Sequence, residues 1–566
     1  MSLEWRSVTE VANEYIRLSL PGSPCIIPPV LHWFRLTGSS FAAFPTCFLV
    51  IRLSDTNEVL TVISSTRSSL RKSHLFCALV VAVLAVGNYI LWIHNYFVAD
   101  SWWLVGSISE PDWSLADLLP FRQLPHRINS TLYYAPVHTA VLWLAFKLGG
   151  FDPERYNLTL IGFHLGTTLF LFAAALQLTG SRLKATAAAS IFAVHFASTE
   201  GVGWLGAITH PVAGFFGAMA FALYVRYLQT SRARWGVGAM VALLGASLTQ
   251  VTALPWFAIL AGLDLFYSRK RGSFQGFRQR LAVLGVLLLA MVPLQIHALR
   301  FTEGEGYHYQ SGPWIVRNLF FYPVSTVVPS LEGSSFSLTR DLLLVPFDQN
   351  GFIRLVSMTD AFGLLLASGL VVVAVALLWS CGGWLSRFSL VAFFLSTTPL
   401  LLVNGQGYRY LYVPLMFFSL AVANSLVDLY RHLVGHARGA AVAVLAILPL
   451  FVALSFAESQ RQLFWRQQAG LMAHRSLVQL KETQPELPKG AKIVFGGALD
   501  TIQNTNAEVW RQGLREAVKV VYGDRTLRVE GYTREEVERL FHEELKGAPN
   551  TYGFVWEDWQ FKRIAP

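Results

Sequence analysis

Long runs of apolar residues recur along this chain and constrain its fold more than any other feature. Several of these runs are about 16 to 24 residues long, which is the length that a helix needs to cross the hydrocarbon core of a bilayer. Of the 566 residues, 53% are hydrophobic and only 14% are charged, whereas roughly a quarter are charged in a soluble domain. The sequence therefore predicts an all-α polytopic membrane protein.

The net charge is +10, and in a membrane protein such an excess of Lys and Arg marks the cytoplasmic loops. We therefore expect no nucleic-acid partner. The four cysteines are scattered, without a Cys-x-x-Cys motif. None lies in the C-terminal tail, so neither a disulfide framework nor a zinc site is indicated.

The basic clusters fix the predicted topology. Placing them in the cytoplasm gives about eleven spans, a cytoplasmic N-terminus and an external C-terminus in the cell membrane. The segment Tyr133–Leu148 is then a juxtamembrane helix on the external side. The expected spans are Leu75–Trp92, Tyr156–Leu178, Ala185–Val194, a run from about Val212, Val237–Leu248, Pro255–Tyr267, Leu281–Leu299, Ala361–Leu378, Val391–Val403, Leu411–Val427 and Ala440–Phe456.

Three regions follow from this topology. Residues 1–73 form an N-terminal cytoplasmic or interfacial segment, residues 74–456 the transmembrane domain, and residues 457–566 a small soluble α/β domain on the external side. In that tail a capping box of Thr533 and Glu536 predicts a helix start. Four strands and one more helix are predicted there, at Lys492–Phe495, Val520–Tyr522, Leu527–Val529 and Tyr552–Trp556, and at Ala507–Lys519.

Asp100 is the first carboxylate after the first span, and it belongs to a group of polar and aromatic residues on the external side. An acid at the mouth of a membrane protein is a candidate for function, although an acid also caps helices or faces solvent. The cytoplasmic loops are short and basic, so we expect chemistry to be external. The other members are Trp102, His126, Arg127, His195, Glu200, Trp204, His210, Glu303, Glu305, His308, Arg317, Arg409, Tyr410 and Tyr412.

Two carboxylates, Asp100 and Glu200, suit a general base and a partner that orients the acceptor or holds a metal. An arginine flanked by tyrosines, as Arg409 is, suits a phosphate or diphosphate. Together they suit sugar transfer from a lipid-linked donor. Plainer roles stand beside this one: His195 as a hydrogen-bonded helix-end histidine, Glu200 as an N-cap, and Arg409 as a partner of a lipid headgroup.

Five features occur in an order that resembles a known superfamily. An Asp ends the first span, and Tyr-x-Pro at 134–136 precedes an amphipathic helix. Gly-Phe-Asp-Pro-x-x-Tyr-Asn at 150–157 leads into the next span. Phe-Ala-Val-His-x-x-x-x-Glu-x-Val-x-Trp at 192–204 and Tyr-Arg-Tyr-Leu-Tyr-Val-Pro at 408–414 follow. The pattern, over about residues 75–430, resembles the GT-C integral-membrane glycosyltransferases, chiefly the bacterial polyprenyl-phosphate-sugar enzymes and relatives of the protein O-mannosyltransferases.

The resemblance implies an inverting transfer of a hexose or pentose from a polyprenyl-phosphate donor to a glycan, lipid or protein acceptor on the extracytoplasmic side. Asp100 would be the general base, and Glu200 would assist it or face a divalent metal. Arg409, Tyr410 and Tyr412 would bind the donor phosphate. Substrate-binding candidates are Trp102, His195 and His210.

The chain departs from many relatives at two places. Ser101 stands where a second acid is common, and Ala207-Ile208-Thr209-His210 stands where Arg-Ala-Asp is common. Both departures weaken the expectation of a bound metal and of mannose as the sugar. The alternatives are a non-catalytic member of the family, a transporter or lipid flippase, and a polysaccharide polymerase or ligase that uses a diphosphate-linked glycan.

Overall fold

The computed structural model describes residues 73–109, 118, 135–300, 314–327, 369, 371–380, 382–402, 407–498, 507–510, 513–543, 548–557 and 560–564. The N-terminal segment 1–72, His126 and Arg127 lie outside this range. So do Glu303, Glu305 and His308, together with the first part of the predicted span Ala361–Leu378. The side chain of Arg317 is likewise not described.

The described chain is mostly helical, as the hydropathy pattern predicts. In chain order the helices before the C-terminal sheet are α1 (Ser73–Trp92), α2 (Asp100–Ile108), α3 (Pro136–Gly149), α4 (Pro153–Thr179), α5 (Arg182–Val194), α6 (Thr199–Gly203), α7 (Thr209–Thr230), α8 (Ala233–Ser247), α9 (Pro255–Arg271), α10 (Phe277–Arg300), α11 (Trp314–Ser325), α12 (Val371–Ser380), α13 (Trp384–Leu401), α14 (Tyr412–Val434) and α15 (Arg438–Thr483).

Eight helices in the described ranges are long and apolar enough to cross a membrane. They correspond to eight of the predicted spans, and the protein is a polytopic membrane protein. The remaining three predicted spans coincide with the shorter helices α5, α8 and α12. The count of about eleven spans and the sidedness of the loops stay predictions.

The centre of the bundle is built around α5, which is short and rich in alanine. Ala185, Ala187, Ala188 and Ala189 are all buried, and small side chains let neighbouring helices approach closely in a membrane. Helix α5 packs against α4, α14 and α15, and α4 in turn packs against α7. The loop after α5 is therefore surrounded by several helices, and this loop carries Glu200.

The C-terminal region forms a four-stranded sheet, as predicted for a small α/β domain. Its strands are β1 (Lys492–Gly496), β2 (Arg528–Tyr532), β3 (Thr551–Glu557) and β4 (Gln560–Arg563), in the order β2-β1-β3-β4. Strand β1 is parallel to β2 and β3, whereas β3 and β4 are antiparallel. Two helices, α16 (Leu514–Tyr522) and α17 (Arg534–Glu543), complete it.

Alternating side chains of β1 serve two layers, as the pleat of a strand requires. Ile493 and Phe495 belong to the main core, whereas Val494 packs with Val537 of α17 on the other face. The predicted capping box is confirmed: the amide of Glu536 donates to Thr533 Oγ1 at 3.3 Å, and the amide of Thr533 donates to Glu536 Oε2 at 2.9 Å.

Two predictions in this region were wrong. Val520–Tyr522 is not a strand but the last turn of α16, and this helix begins at Leu514 rather than Ala507. The run of β-branched residues favours a strand locally, but the helix buries Leu514, Ala517 and Val518 on one face. Gly523, with φ of 64°, then ends it in a left-handed conformation, which glycine adopts without strain.

Helix α15 joins the two predicted domains. It runs without a break for 46 residues, from the apolar segment that begins near Ala440 through residue 457 and into the polar tail. Its second half packs against α6, α16 and β4. The loop that carries Glu200 and the C-terminal sheet are thus held by the same helix.

Candidate functional site

The candidate site is built on the loop between α5 and α7. His195 ends α5 and turns the chain, because its Nδ1 accepts the amide of Ala197 at 3.2 Å. Its Nε2 donates to the carbonyl of Thr326 at 3.0 Å. Both ring nitrogens of His195 are therefore engaged within the protein, and burial lowers its pKa to about 3. The neutral ring therefore stabilises the turn that leads from α5 into α6.

Glu200 lies in the first turn of α6 and meets Arg409, from the turn before α14. The Arg409 guanidinium donates through Nη1 to Glu200 Oε1, and the Arg409 amide donates to Oε2 at 2.9 Å. Both side chains are nearly buried. Gly407 leaves room for this contact, because a Cβ there would lie 2.8 Å from the Arg409 guanidinium. The two residues predicted to share one face are thus in direct contact.

A second arginine, Arg466 of α15, is close to the same carboxylate. It exerts an electrostatic effect on Glu200, and its guanidinium lies 6.0 Å from the ring of Trp204. The guanidinium of Arg409 lies 5.3 Å from the same ring. Both cations therefore lie near the same indole ring, at distances typical of cation–π contacts.

The charge of Glu200 is controlled by these neighbours. Burial raises the pKa of its carboxyl, but the guanidiniums of Arg409 and Arg466 and the hydrogen bonds from Arg409 outweigh burial, so the pKa lies below its usual value. Glu200 is ionised at neutral pH. An ionised carboxylate that is paired with an arginine orients cations better than it accepts a proton.

Aromatic and amide side chains surround the pair. The ring of Tyr410 lies 4.7 Å from the Arg409 guanidinium and packs edge-on against His210 at 5.3 Å. His210 is in turn 3.4 Å from the Gln250 side-chain amide. Tyr410 and His210, both predicted as site residues, therefore lie beside the Glu200–Arg409 pair.

Tyr412 points away from this cluster. It is fully buried, and its hydroxyl lies 2.9 Å from Nδ1 of His164 on α4. Its ring fills space that Gly214 leaves open on α7, where a Cβ would overlap it. Tyr412 therefore anchors the turn that carries Arg409.

Asp100 is the first residue of α2, and its side chain is partly buried. Helix α2 packs against the turn Leu205–Ala207, which follows Trp204. This packing brings the helix of Asp100 alongside the loop of Glu200. Trp102 is buried against Phe97, with ring centroids 5.3 Å apart, so it supports α2 from within the core.

His138 on α3 is a site candidate that the sequence did not indicate. It is 2% exposed, and neither ring nitrogen has a hydrogen-bond partner in the described part of the chain. It is close enough to His210 to act on it electrostatically. A buried imidazole without partners is costly, and a polar ligand beside His210 would satisfy it.

The sequence also missed Arg466, because its place in the polar tail suggested a soluble domain remote from the loops. One signal was available: helical periodicity continues past residue 457, so Arg466 belongs to the same helix as the predicted span Ala440–Phe456. For His138, the signal was a lone histidine in an otherwise apolar amphipathic helix.

A metal site does not emerge from these residues. No group of three His, Cys, Asp or Glu side chains in the described ranges could hold a metal ion, and Glu200 is engaged by Arg409. The residues present do not fit a divalent cation beside Glu200.

Comparison with known proteins gives little beyond this geometry. No family model matches the chain, and no curated protein matches it. Among solved structures, the chain is similar to the crystal structure of the Archaeoglobus fulgidus oligosaccharyltransferase in complex with Zn and sulfate. The identity is 14%, the match covers 85% of this chain and 67% of that one, and the TM-score is 0.42. A likeness this distant does not establish a common fold.

Proposed function

We propose that the protein is a GT-C-type membrane glycosyltransferase. It moves a sugar from a polyprenyl-phosphate donor to an acceptor hydroxyl on the extracytoplasmic face of the cell membrane. The observation that carries the proposal is the convergence of Arg409 and Arg466 on Glu200 beside the helix of Asp100. Guanidiniums bind phosphate oxygens through paired N–H groups, and an acid alongside supplies a general base.

Asp100 is the base in this proposal. It takes the proton of the acceptor hydroxyl as the acceptor oxygen attacks the anomeric carbon. The bond from that carbon to the phosphate oxygen breaks, and the electron pair leaves with polyprenyl phosphate. Attack from the face opposite the phosphate inverts the anomeric centre.

Arg409 and Arg466 bind the departing phosphate, whose negative charge grows as the bond breaks. Electrostatic stabilisation of this kind is strongest when the donors are held in place beforehand. Glu200 and Trp204 hold the two guanidiniums. Glu200 therefore positions Arg409, while Tyr410 and His210 line the same space and Tyr412 anchors the turn. His195 shapes the loop, and Trp102 supports α2.

We assign the binding of the sugar and the acceptor to two side chains whose polar atoms have no hydrogen-bond partner within the described residues. These are the indole N–H of Trp204 and the imidazole of His138, both buried. Sugar hydroxyls both donate and accept hydrogen bonds and would satisfy such groups.

The proposal is tested with full-length protein in proteoliposomes. Undecaprenyl phosphates carrying radiolabelled mannose, glucose, galactose or arabinose are supplied, with extracted cell-envelope lipids and glycans as acceptors. We expect label in a new covalent linkage and release of undecaprenyl phosphate with one of the donors. Movement of intact donor across the bilayer, without a change of linkage, would instead indicate a flippase.

A matched pair of variants connects the transfer to the site. Arg466→Gln should remove most of the transfer, whereas Arg461→Gln, five residues earlier on α15 and paired with Glu458 at 2.8 Å, should retain it. Equal activity in both variants would show that the reaction does not depend on the cluster of Glu200, Arg409 and Arg466.

A further inference from the structure

The C-terminal domain makes direct contact with the helix that begins at Asp100. Helix α16 packs against α2, and the contacts lie at both ends of α2. The residue before the helix, Ala99, is hydrogen-bonded to the segment that precedes α16. The last turn of the helix accepts hydrogen bonds from Arg525, which follows α16.

At the first end, the amide of Ala99 donates to the carbonyl of Val509 at 2.9 Å. The carbonyl of Ala99 lies against Gly513, where a Cβ would collide with it. Ala99 itself has φ of 44° and ψ of −127°. An alanine with positive φ is strained and persists only where its surroundings hold it.

At the other end, the Arg525 guanidinium donates through Nη2 to the carbonyl of Gly106 at 2.6 Å and to Ser109 Oγ. Its Nη1 donates to Glu516 Oε2 at 2.9 Å, so Arg525 is held by α16. A cation at the C-terminal end of a helix stabilises it through the helix dipole.

We propose that the C-terminal domain positions the catalytic base: Val509, Gly513 and Arg525 fix the two ends of α2 and so set where Asp100 lies. The inference rests on the proposed function for the role of Asp100. The α/β domain would then contribute to catalysis by positioning Asp100, although no catalytic motif is recognised in its sequence. The three residues act through Asp100 and are positioning residues.

Two matched pairs of variants test this in the full-length protein. Arg525→Gln removes the contact with α2, and Arg528→Gln changes an exposed arginine of the same domain. Gly513→Ala places a methyl group against Ala99, and Gly531→Ala places one in open space. Arg525→Lys keeps the charge and a donor for Gly106.

The first readout is hydrogen exchange of the peptide that covers Ala99 and α2. Arg525→Gln should speed its exchange about tenfold, as the loss of a charge-assisted hydrogen bond predicts. Gly513→Ala should also speed it, because the added methyl group collides with the Ala99 carbonyl. The peptides of α7 and α14 should not change. Arg528→Gln and Gly531→Ala should behave as wild type, and unchanged exchange of α2 in both test variants would overturn the proposal.

The second readout is transfer from the labelled donor that the wild type uses. Arg525→Gln should lower kcat about tenfold and leave the donor KM unchanged, and Arg525→Lys should restore much of the rate. A full kcat in Arg525→Gln, or an equal loss in Arg528→Gln, contradicts the proposal. If the wild type transfers no sugar, the proposed function fails, and hydrogen exchange still decides whether the domain holds α2.

Discussion

The carboxylate of Glu200 and the guanidinium of Arg409 are 209 residues apart in the sequence and form a buried ion pair that also includes the Arg409 main-chain amide. The pair ties the loop after α5 to the turn before α14. In the proposed function it therefore has two tasks: it holds α5 and α14 together, and it fixes the guanidinium that would bind the donor phosphate.

Replacing one member of this pair should be far more damaging to stability than replacing both. Arg409→Met leaves a buried carboxylate beside fewer cations, and breaking a buried pair costs about 3–5 kcal/mol. The double variant Arg409→Met with Glu200→Met should recover much of that loss, because neither charge remains buried. Thermal unfolding in detergent measures both.

Transfer should remain lost in the double variant, since the phosphate-binding guanidinium is absent. Recovered stability with recovered transfer would show that the pair only holds the helices together.

Arg466 should affect the donor rather than the fold. A hydrogen bond to a charged group contributes about 1.5–3 kcal/mol, so Arg466→Gln should raise the donor KM at least about tenfold. Initial rates over a range of donor concentrations measure this. A KM raised equally by Arg461→Gln would assign the effect to α15 as a whole.

His138 should make the protein sensitive to mild acid. Burial lowers its pKa to about 4 from 6.5, so the folded protein favours the neutral ring. The free energy of unfolding is therefore highest above pH 6.5 and decreases as the pH falls toward 4, because the unfolded chain binds the proton more readily. The decrease is about 2 kcal/mol between pH 7 and pH 5. His138→Leu should therefore be more stable than wild type, and more so at pH 5 than at pH 7.

Thermal unfolding at the two pH values measures the difference between the proteins. A stabilisation by His138→Leu that is the same at both values would contradict a buried neutral ring. We also expect the variant to transfer sugar more slowly, because the imidazole is assigned to the substrate.

The membrane-spanning helices were readable from the sequence because hydropathy is a local property. The same holds for the capping box at Thr533 and for strand β1. Val520–Tyr522 was misread because its local preference for a strand was overruled by the apolar face of α16, which packs on α2 and α15. Such packing involves residues that are distant in the sequence and, for α2, hundreds of positions away.

The candidate site was predictable only as a set of residues on one side of the membrane. Motif order placed Glu200 and Arg409 together, but not in contact. Arg466 was missed because the change from apolar to polar residues near 457 resembles a domain boundary, whereas the helix continues through it. The contact of Arg525 with Gly106, 419 positions apart, has no local signal at all.

In the proposed function, Asp100 is the general base of a sugar transfer. This role is tested most directly by single-turnover transfer with Asp100→Asn at saturating labelled donor, in the same proteoliposomes as wild type. We expect a rate lower by about 10²–10⁴-fold with donor binding retained. Undiminished transfer by Asp100→Asn would contradict it.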